Sequence, residues 1–276
     1  MRRPVILLVA AAFFTAAHAF AVDISDIAPV LKAAKKSIDS TLSEIDNDLK
    51  AAAGELSGMD LKGEGARKIL NGLLKFRPYV INCSIIDANG IKITVEPAEY
   101  KQYEGADRTS LPSVIALLKT KKPVLSDVYH SAEGIHAISM GYPIFSDKGE
   151  LLGAVRMLIK YEVFLKSLVE NKPCRIWVMQ EDGIIVYDQD PEEIGKNIFY
   201  DSMFEPFADL ISFAKTVTLA RNGAGSYSFY ADAPRDKTTV QKIALWDTVG
   251  IYGTEWRVVA METVKAPSPP SATAAK

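Results

Sequence analysis

Tyr79-Val-Ile-Asn-Cys-Ser-Ile-Ile86 is an apolar run that breaks at Asp87-Ala-Asn-Gly90, and the reading of this stretch, continued to Lys160, decides the fold. Asn and Gly tolerate the positive φ angles of a tight hairpin, so two antiparallel strands are expected on either side of Gly90. A polar loop with Tyr100, Tyr103, Asp107 and Arg108 follows, then a short amphipathic segment from Leu111 to Lys119. Three more strands are expected beyond Pro123. Val124 to His130 and Ile135 to Ile144 meet across Ala132-Glu133-Gly134, and Ser146-Asp-Lys-Gly149 turns into Leu151 to Lys160.

Upstream of this unit, Ile24, Ile27, Leu31, Ala34, Ile38, Leu42, Ile45, Leu49, Ala52 and Leu56 step by three and four, the spacing of one buried helical stripe. Asp26 reads as the N-cap with Pro29 in the first turn, which gives a helix of about thirty residues and about 45 Å. That length suits a spine behind two small modules. A dimeric coiled coil is the other use of such a stripe, but the heptad is interrupted between Ala34 and Leu42. A shorter helix is expected over Ala66 to Phe76, stopped by Pro78.

Downstream, Tyr161 to Glu170 reads as a connecting helix, and the pattern then restarts. Arg175 to Gln180, the turn Glu181-Asp-Gly183 and Ile184 to Tyr187 repeat strand, acidic glycine turn and strand. A loop from Asp188 to Lys196 and a helix around Phe207 to Ala214 precede strands near Ser226 to Tyr230, Gln241 to Val249 and Glu255 to Glu262. Gly90 and Gly183 lie 93 residues apart, so an internal structural repeat is the economical reading. The fold class is therefore α+β: a long N-terminal helix, then two modules with antiparallel sheets of about five strands each.

The ends carry separate signals. Met1-Arg2-Arg3, the apolar run Val5 to Ala17 and small residues at Ala17, Ala19 and Ala21 form a signal peptide over residues 1–21, with processing expected near Ala19 or Ala21. An uncleaved N-terminal membrane anchor is the alternative, since Pro4 to Val22 is just long enough to span a bilayer. Residues 264–276, small and Pro-rich, are not expected to pack. Thirty-two basic and thirty-four acidic residues are nearly balanced, with no Lys/Arg block, which argues against a nucleic-acid partner. Two cysteines, Cys83 and Cys174, each lie in an apolar strand of a different half and are expected as buried thiols.

Taken together, Ile85-Ile-Asp-Ala-Asn-Gly90, Gly105-Ala-Asp-Arg108, Ser126-Asp-Val-Tyr129, Tyr142-Pro-Ile-Phe-Ser-Asp-Lys-Gly149 with Gly153-Ala-Val155, Glu181-Asp-Gly183, Glu193-Ile-Gly-Lys196 and Gly253-Thr-Glu-Trp256 resemble the double Cache (dCache) family of extracytoplasmic, PAS-like sensor domains. The resemblance covers about residues 24–263. It implies a long helix with a connecting helix over 24–78, a ligand-binding, membrane-distal type module over 79–170 and a proximal-type module over 171–263. It also implies a small-metabolite ligand, a role in signal transduction or chemotaxis, and a membrane-bound receptor or histidine kinase as partner. Tyr103 and Arg108 fit the first pair of the family's amino-acid-binding subgroup, and Tyr129 its later Tyr. Ser110 and Leu111 stand where Trp-Tyr is expected, and Leu158 near the position of the amine-binding Asp. An α-amino-acid ligand is thereby put in doubt, and a carboxylate or a neutral molecule stays open.

The residues themselves point to the same region. Arg108 on a loop could grip a carboxylate bidentately, or it could be a solvated partner of Asp107. Pairing the hairpin about Ala132 to Gly134 sets Tyr129 opposite Ala137, Asp127 opposite Ser139 and Leu125 opposite Gly141, a face with small residues across from a hydroxyl and a carboxylate. The expected ligand-binding set is thus Tyr103, Arg108, Asp127, Tyr129 and Ser139. His130 and His136 face each other on the opposite side but have no third donor beyond Glu133, so no metal is expected, and no cofactor. Enzyme motifs are scarce: there is no G-x-S-x-G elbow, H-E-x-x-H helix, P-loop or dinucleotide fingerprint. The expected function is an exported, non-enzymatic sensor, periplasmic or secreted, monomeric or dimeric through its N-terminal helix. A periplasmic solute-binding protein that delivers its ligand to a transporter is the alternative, and a carboxylate-dependent hydrolase a third reading.

Overall fold

The computed structural model describes residues 17–232 and 236–264, with side chains from Ser25 onward. Residues 1–16, which hold most of the signal-peptide reading, and the tail from residue 265 lie outside the described residues. Helix α1, Ala17–Leu56, is longer than the stripe alone predicts. Three alanines, the best helix formers, lie before Asp26 in a helix that is already formed there, so Asp26 is an interior residue, not its cap. Pro29, exposed, is carried inside the helix at the loss of one backbone hydrogen bond.

The stripe does what its spacing requires. Ile27, Leu31, Ala34, Ile38, Leu42, Ile45, Leu49, Ala52 and Leu56 are buried in one cluster with residues from both sheets, including Ile85 and Ile138 of the first and Ile176 and Val258 of the second. Burying such Leu and Ile side chains contributes roughly 1.5–3 kcal/mol each, so α1 acts as the spine that both sheets share. Helix α2, Glu64–Leu74, packs on α1 and the first sheet and ends two residues earlier than expected. The chain there turns through Phe76, at φ 62°.

The first sheet contains β1 (Val80–Asp87), β2 (Lys92–Glu96), β3 (Val124–Leu125), β4 (Tyr129–His130), β5 (His136–Phe145) and β6 (Leu151–Ile159). Its order is β2-β1-β6-β5-β3, with β4 also on β5. Helix α3, Pro112–Thr120, lies between β2 and β3, and α4, Tyr161–Val169, leads to the second half. There β7 (Arg175–Gln180), β8 (Ile185–Tyr187), α5 (Ala208–Leu219), β9 (Gly223–Asp232), β10 (Asp236–Ile251) and β11 (Thr254–Thr263) form a sheet of order β8-β7-β11-β10-β9. All pairings are antiparallel, and the two orders are the same permutation.

The repeat extends to the loop that follows the first hairpin of each half. Residue 107 bridges to Ile91 in the first half, and Asn197 to Ile184 in the second. Gly105 N donates to Lys92 O at 2.7 Å and Arg108 N to Gly90 O at 2.9 Å, while Gly195 N donates to Ile185 O at 2.8 Å and Ile198 N to Gly183 O at 2.9 Å. Each loop is therefore laid along the outer strand of its sheet like a short extra strand. Gly90 and Gly183, at φ 82° and 89°, make the tight turns that these bonds need, and a Cβ on Gly183 would lie 2.4 Å from the Phe199 ring.

Candidate ligand-binding site

On the first sheet the strands alternate. Cys83, Ile85, Ile138, Met140, Val155 and Met157 face the spine, and Asn82, Ser84, Ser139 and Arg156 face the other way, buried although polar. The register puts Asn82 and Ser139 on either side of Leu158, and Ser84 and Gly141 on either side of Arg156. These residues, Gly141 apart, form the floor of a small, open-mouthed cavity. Its walls come from Lys92 on β2, Arg108 on the loop along β2, and Tyr129, His130 and Glu133 from the β4–β5 hairpin.

The electrostatics of the cavity are lopsided. Lys92 Nζ lies 3.1 Å from Glu133 Oε1, with both side chains 5% exposed, and Asn82 Nδ2 donates to the same oxygen at 3.0 Å. Arg156 Nη2 donates to Ser139 Oγ at 2.6 Å. Three cations, Lys92, Arg108 and Arg156, thus face one carboxylate. Burial lowers the pKa of Arg156, opposed by the Tyr129 hydroxyl beside it and assisted by Arg108. Burial likewise lowers Lys92, with Glu133 holding its proton and both guanidiniums working against it. Burial would raise Glu133, but Lys92 and Asn82 hold it below its ordinary value.

Arg108 is placed by backbone, not by a salt bridge. The Asp107 carboxylate is taken by Thr109, whose N–H and hydroxyl both donate to it at 2.7 Å, so Arg108 is not the solvated partner of Asp107. Its Nη2 is buried and has no hydrogen-bond partner among the described residues. A buried guanidinium N–H without an acceptor costs about 1–3 kcal/mol or more, and an anion in the cavity would supply that acceptor.

Of the five residues expected at the site, Arg108, Tyr129 and Ser139 line this cavity together. Tyr103 stands at its margin, its ring 5.6 Å from Lys92 Nζ and stacked on Tyr100 at 6.3 Å. Asp127 is elsewhere. The strand expected over Val124 to His130 is two short pieces, and the register slips between them: Tyr129 pairs with Ala137 as read from the sequence, but Leu125 pairs with Met140, not Gly141. One extra residue in the 126–128 segment turns Asp127 outward to the groove between the halves. Partial burial there, with Asp182 and then Glu181 nearby, raises its carboxyl. Ser126 takes the place opposite Ser139, accepting the Ser139 N–H on its hydroxyl at 2.8 Å. The slip is pinned from the second half, where Gln180 Oε1 accepts the Val128 N–H at 2.7 Å.

Sequence reasoning passed over Asn82, Ser84, Lys92 and Arg156, and named Glu133 only as a further donor beside the two histidines. The signal was present in part: Arg156 inside the apolar run Leu151 to Ile159 is a charge that must be buried, and buried charges need partners. His130 and His136 sit with ring centroids 5.2 Å apart, and no group of three or more metal-ligating side chains occurs among the described residues. Both cysteines are buried and unpaired.

Residues 40–161 match a family model described as the HK/GC/chemotaxis protein-like sensor domain. Among solved structures, the chain is similar to an extracellular ligand-binding receptor from Desulfohalobium retbaense, with 29% identity and a TM-score of 0.70 over 85% of this chain and 40% of that one. The chain thus spans well under half of that receptor's length. It also resembles the ligand-binding domain of the Pseudomonas aeruginosa amino acid chemoreceptor PctC in complex with GABA, at 16% identity and TM-score 0.60, covering 85% of this chain and 96% of that one. A third, the sensory domain of the Campylobacter jejuni chemoreceptor Tlp3 with isoleucine bound, gives 14% identity and TM-score 0.63 over 91% of this chain and 96% of that one. No curated protein matches. The segment 40–161 thus matches a sensor-domain model, and the chain as a whole has the fold of the chemoreceptor ligand-binding domains of double Cache type.

Proposed function

We propose that this protein is an exported sensor that binds a small anionic metabolite, a carboxylate, in the module over residues 79–170. Residues 1–21 act in this reading as a signal peptide, and 171–263 as the proximal-type module that couples binding to a membrane-bound receptor or histidine kinase. Among the described residues, no helix is long and apolar enough to cross a membrane. The observation that carries the reading is the unpartnered, buried Nη2 of Arg108 at a cavity where three cations face one carboxylate. A carboxylate accepts bidentately from a guanidinium, which satisfies this group and offsets the local positive charge. Leu158 and Leu111, on the cavity lining, supply no acid for a ligand ammonium, and Glu133 is already engaged by Lys92 and Asn82. This favours carboxylates over α-amino acids. A thermal-shift screen of mono- and dicarboxylates against amino acids on the full chain tests it, since a ligand of the native state raises the melting temperature. Stabilisation by carboxylates that disappears in Arg108→Ala is expected; stabilisation by amino acids alone, or none from any carboxylate, overturns the reading.

A further inference from the structure

The second half builds a cavity by the same means as the first. Its loop is tied along β8 by the hydrogen bonds that tie the Arg108 loop along β2, with Ile198 at the place of Arg108. Beneath it lies a small, open-mouthed cavity. Its chemistry is different. Trp177, Tyr227, Phe229 and Tyr230 give aromatic walls, Trp177 Nε1 donating to the Tyr227 hydroxyl at 3.2 Å. Lys242 and Arg175 enter from the sheet, and Asp188 and Glu193 from the loop.

These charges do not neutralise one another by contact. Lys242 is 2% exposed and Glu193 8%, yet neither has an ion-pair partner within 4 Å or a side-chain hydrogen bond among the described residues. The Lys242 ammonium lies instead over the Phe229 ring at 5.5 Å. Arg175 reaches Asp232 at 3.2 Å through one terminal nitrogen, but its Nε is buried with no hydrogen-bond partner among the described residues. Asp188 accepts the Asp190 N–H at 2.8 Å. Groups held apart in this way are costly to ionise unless something between them supplies both signs of charge.

From this arrangement we infer that the second cavity is a binding site for a small zwitterion, its carboxylate directed to Lys242 and Arg175 and its ammonium to Glu193 and Asp188. A zwitterion gives each isolated charge a partner without adding net charge to an enclosed space, whereas a simple anion or cation leaves half of the set unpaired. The aromatic walls suit the short apolar chain between its ends and the face of an ammonium. The inference does not depend on what the first cavity binds.

The test follows the Trp177 indole N–H resonance of the full chain during titration with glycine, β-alanine and 4-aminobutyrate, and separately with acetate and methylammonium. A saturable displacement by at least one of the three zwitterions is expected, stronger than with either single-charge compound. Lys242→Met should weaken it roughly 10- to 100-fold, the range for losing a charged hydrogen bond, and Arg108→Ala should leave it unchanged. If Lys242→Met does not fold, the near-isosteric Glu193→Gln carries the same expectation. No displacement by any of the three zwitterions overturns the inference, as does unchanged affinity in the folded variant, binding of acetate or methylammonium as tight as that of the zwitterions, or loss of the response in Arg108→Ala.

Discussion

Lys92 and Glu133 form a buried ion pair at 3.1 Å, in a cavity that also holds two guanidiniums, and this makes the pair asymmetric. Removing the Glu133 charge leaves three cations facing each other out of water, whereas removing the Lys92 charge leaves Glu133 in the field of Arg108 and Arg156. Glu133→Gln should therefore cost about 3–5 kcal/mol, the range for breaking a buried pair, and Lys92→Met clearly less. Denaturant melts of the two variants measure this directly. Equal losses would show that the guanidiniums do not reach Glu133.

Arg108 differs in that its backbone, not its side chain, holds the loop. Its N–H donates to Gly90 O at 2.9 Å, a bond that any residue but proline preserves. Arg108→Ala should thus keep the melting temperature of the ligand-free chain while reducing carboxylate affinity by about 2–5 kcal/mol. Calorimetry on the folded variant separates the two effects, and a large loss of stability without ligand would give Arg108 a structural role instead.

Much of this architecture is legible in the sequence because it is periodic. The stripe from Ile27 to Leu56, the glycine turns at Gly90 and Gly183 and the spacing of the strands each follow from local rules, and α1 takes the stripe as intramolecular core. The position of Asp127 is not local. Its register depends on one extra residue between Leu125 and Tyr129, held in part by Gln180 from 52 positions away. Hairpin counting from the Ala132 to Gly134 turn holds for Tyr129 and fails beyond it. The second cavity was equally hidden, since its charges come from a strand start, a loop and the middle of β10. What does not repeat between the halves is the side-chain chemistry laid on a repeated backbone.

The slipped register has a direct test. Asp127, which lies outside the first cavity, should be dispensable: Asp127→Ala is expected to leave carboxylate affinity within error of the unchanged chain, while Ser126→Val, which removes the hydroxyl that accepts the Ser139 N–H at 2.8 Å, should cost about 1–3 kcal/mol of stability. Paired calorimetry and thermal melts on both variants measure this. A drop in affinity on losing Asp127 would place it back in the site.

The second cavity makes the stability of the chain depend on pH in a defined direction. Burial, with Asp188 and Asp190 nearby, raises Glu193 from an ordinary 4.5 to about 9, and burial raises Asp188 to about 6. Between the ordinary and raised values the folded chain holds protons that the unfolded chain has released, so stability falls as pH rises through that window. Lys242, lowered by burial and by Arg175 to about 8, contributes the opposite slope, but only above that pH, where the unfolded chain holds the extra proton. From about pH 5 to about pH 8 the unliganded protein should therefore lose stability, at up to about 1.4 kcal/mol per pH unit for one such proton. Glu193→Gln, which carries no charge at any pH, should be more stable than the unchanged chain at about pH 8 and should show a flatter profile over this window. Melting temperatures of both proteins across the range decide the matter. A profile that rises with pH, or one that Glu193→Gln leaves unaltered, would mean that this carboxyl is ionised in the folded state at its ordinary pKa.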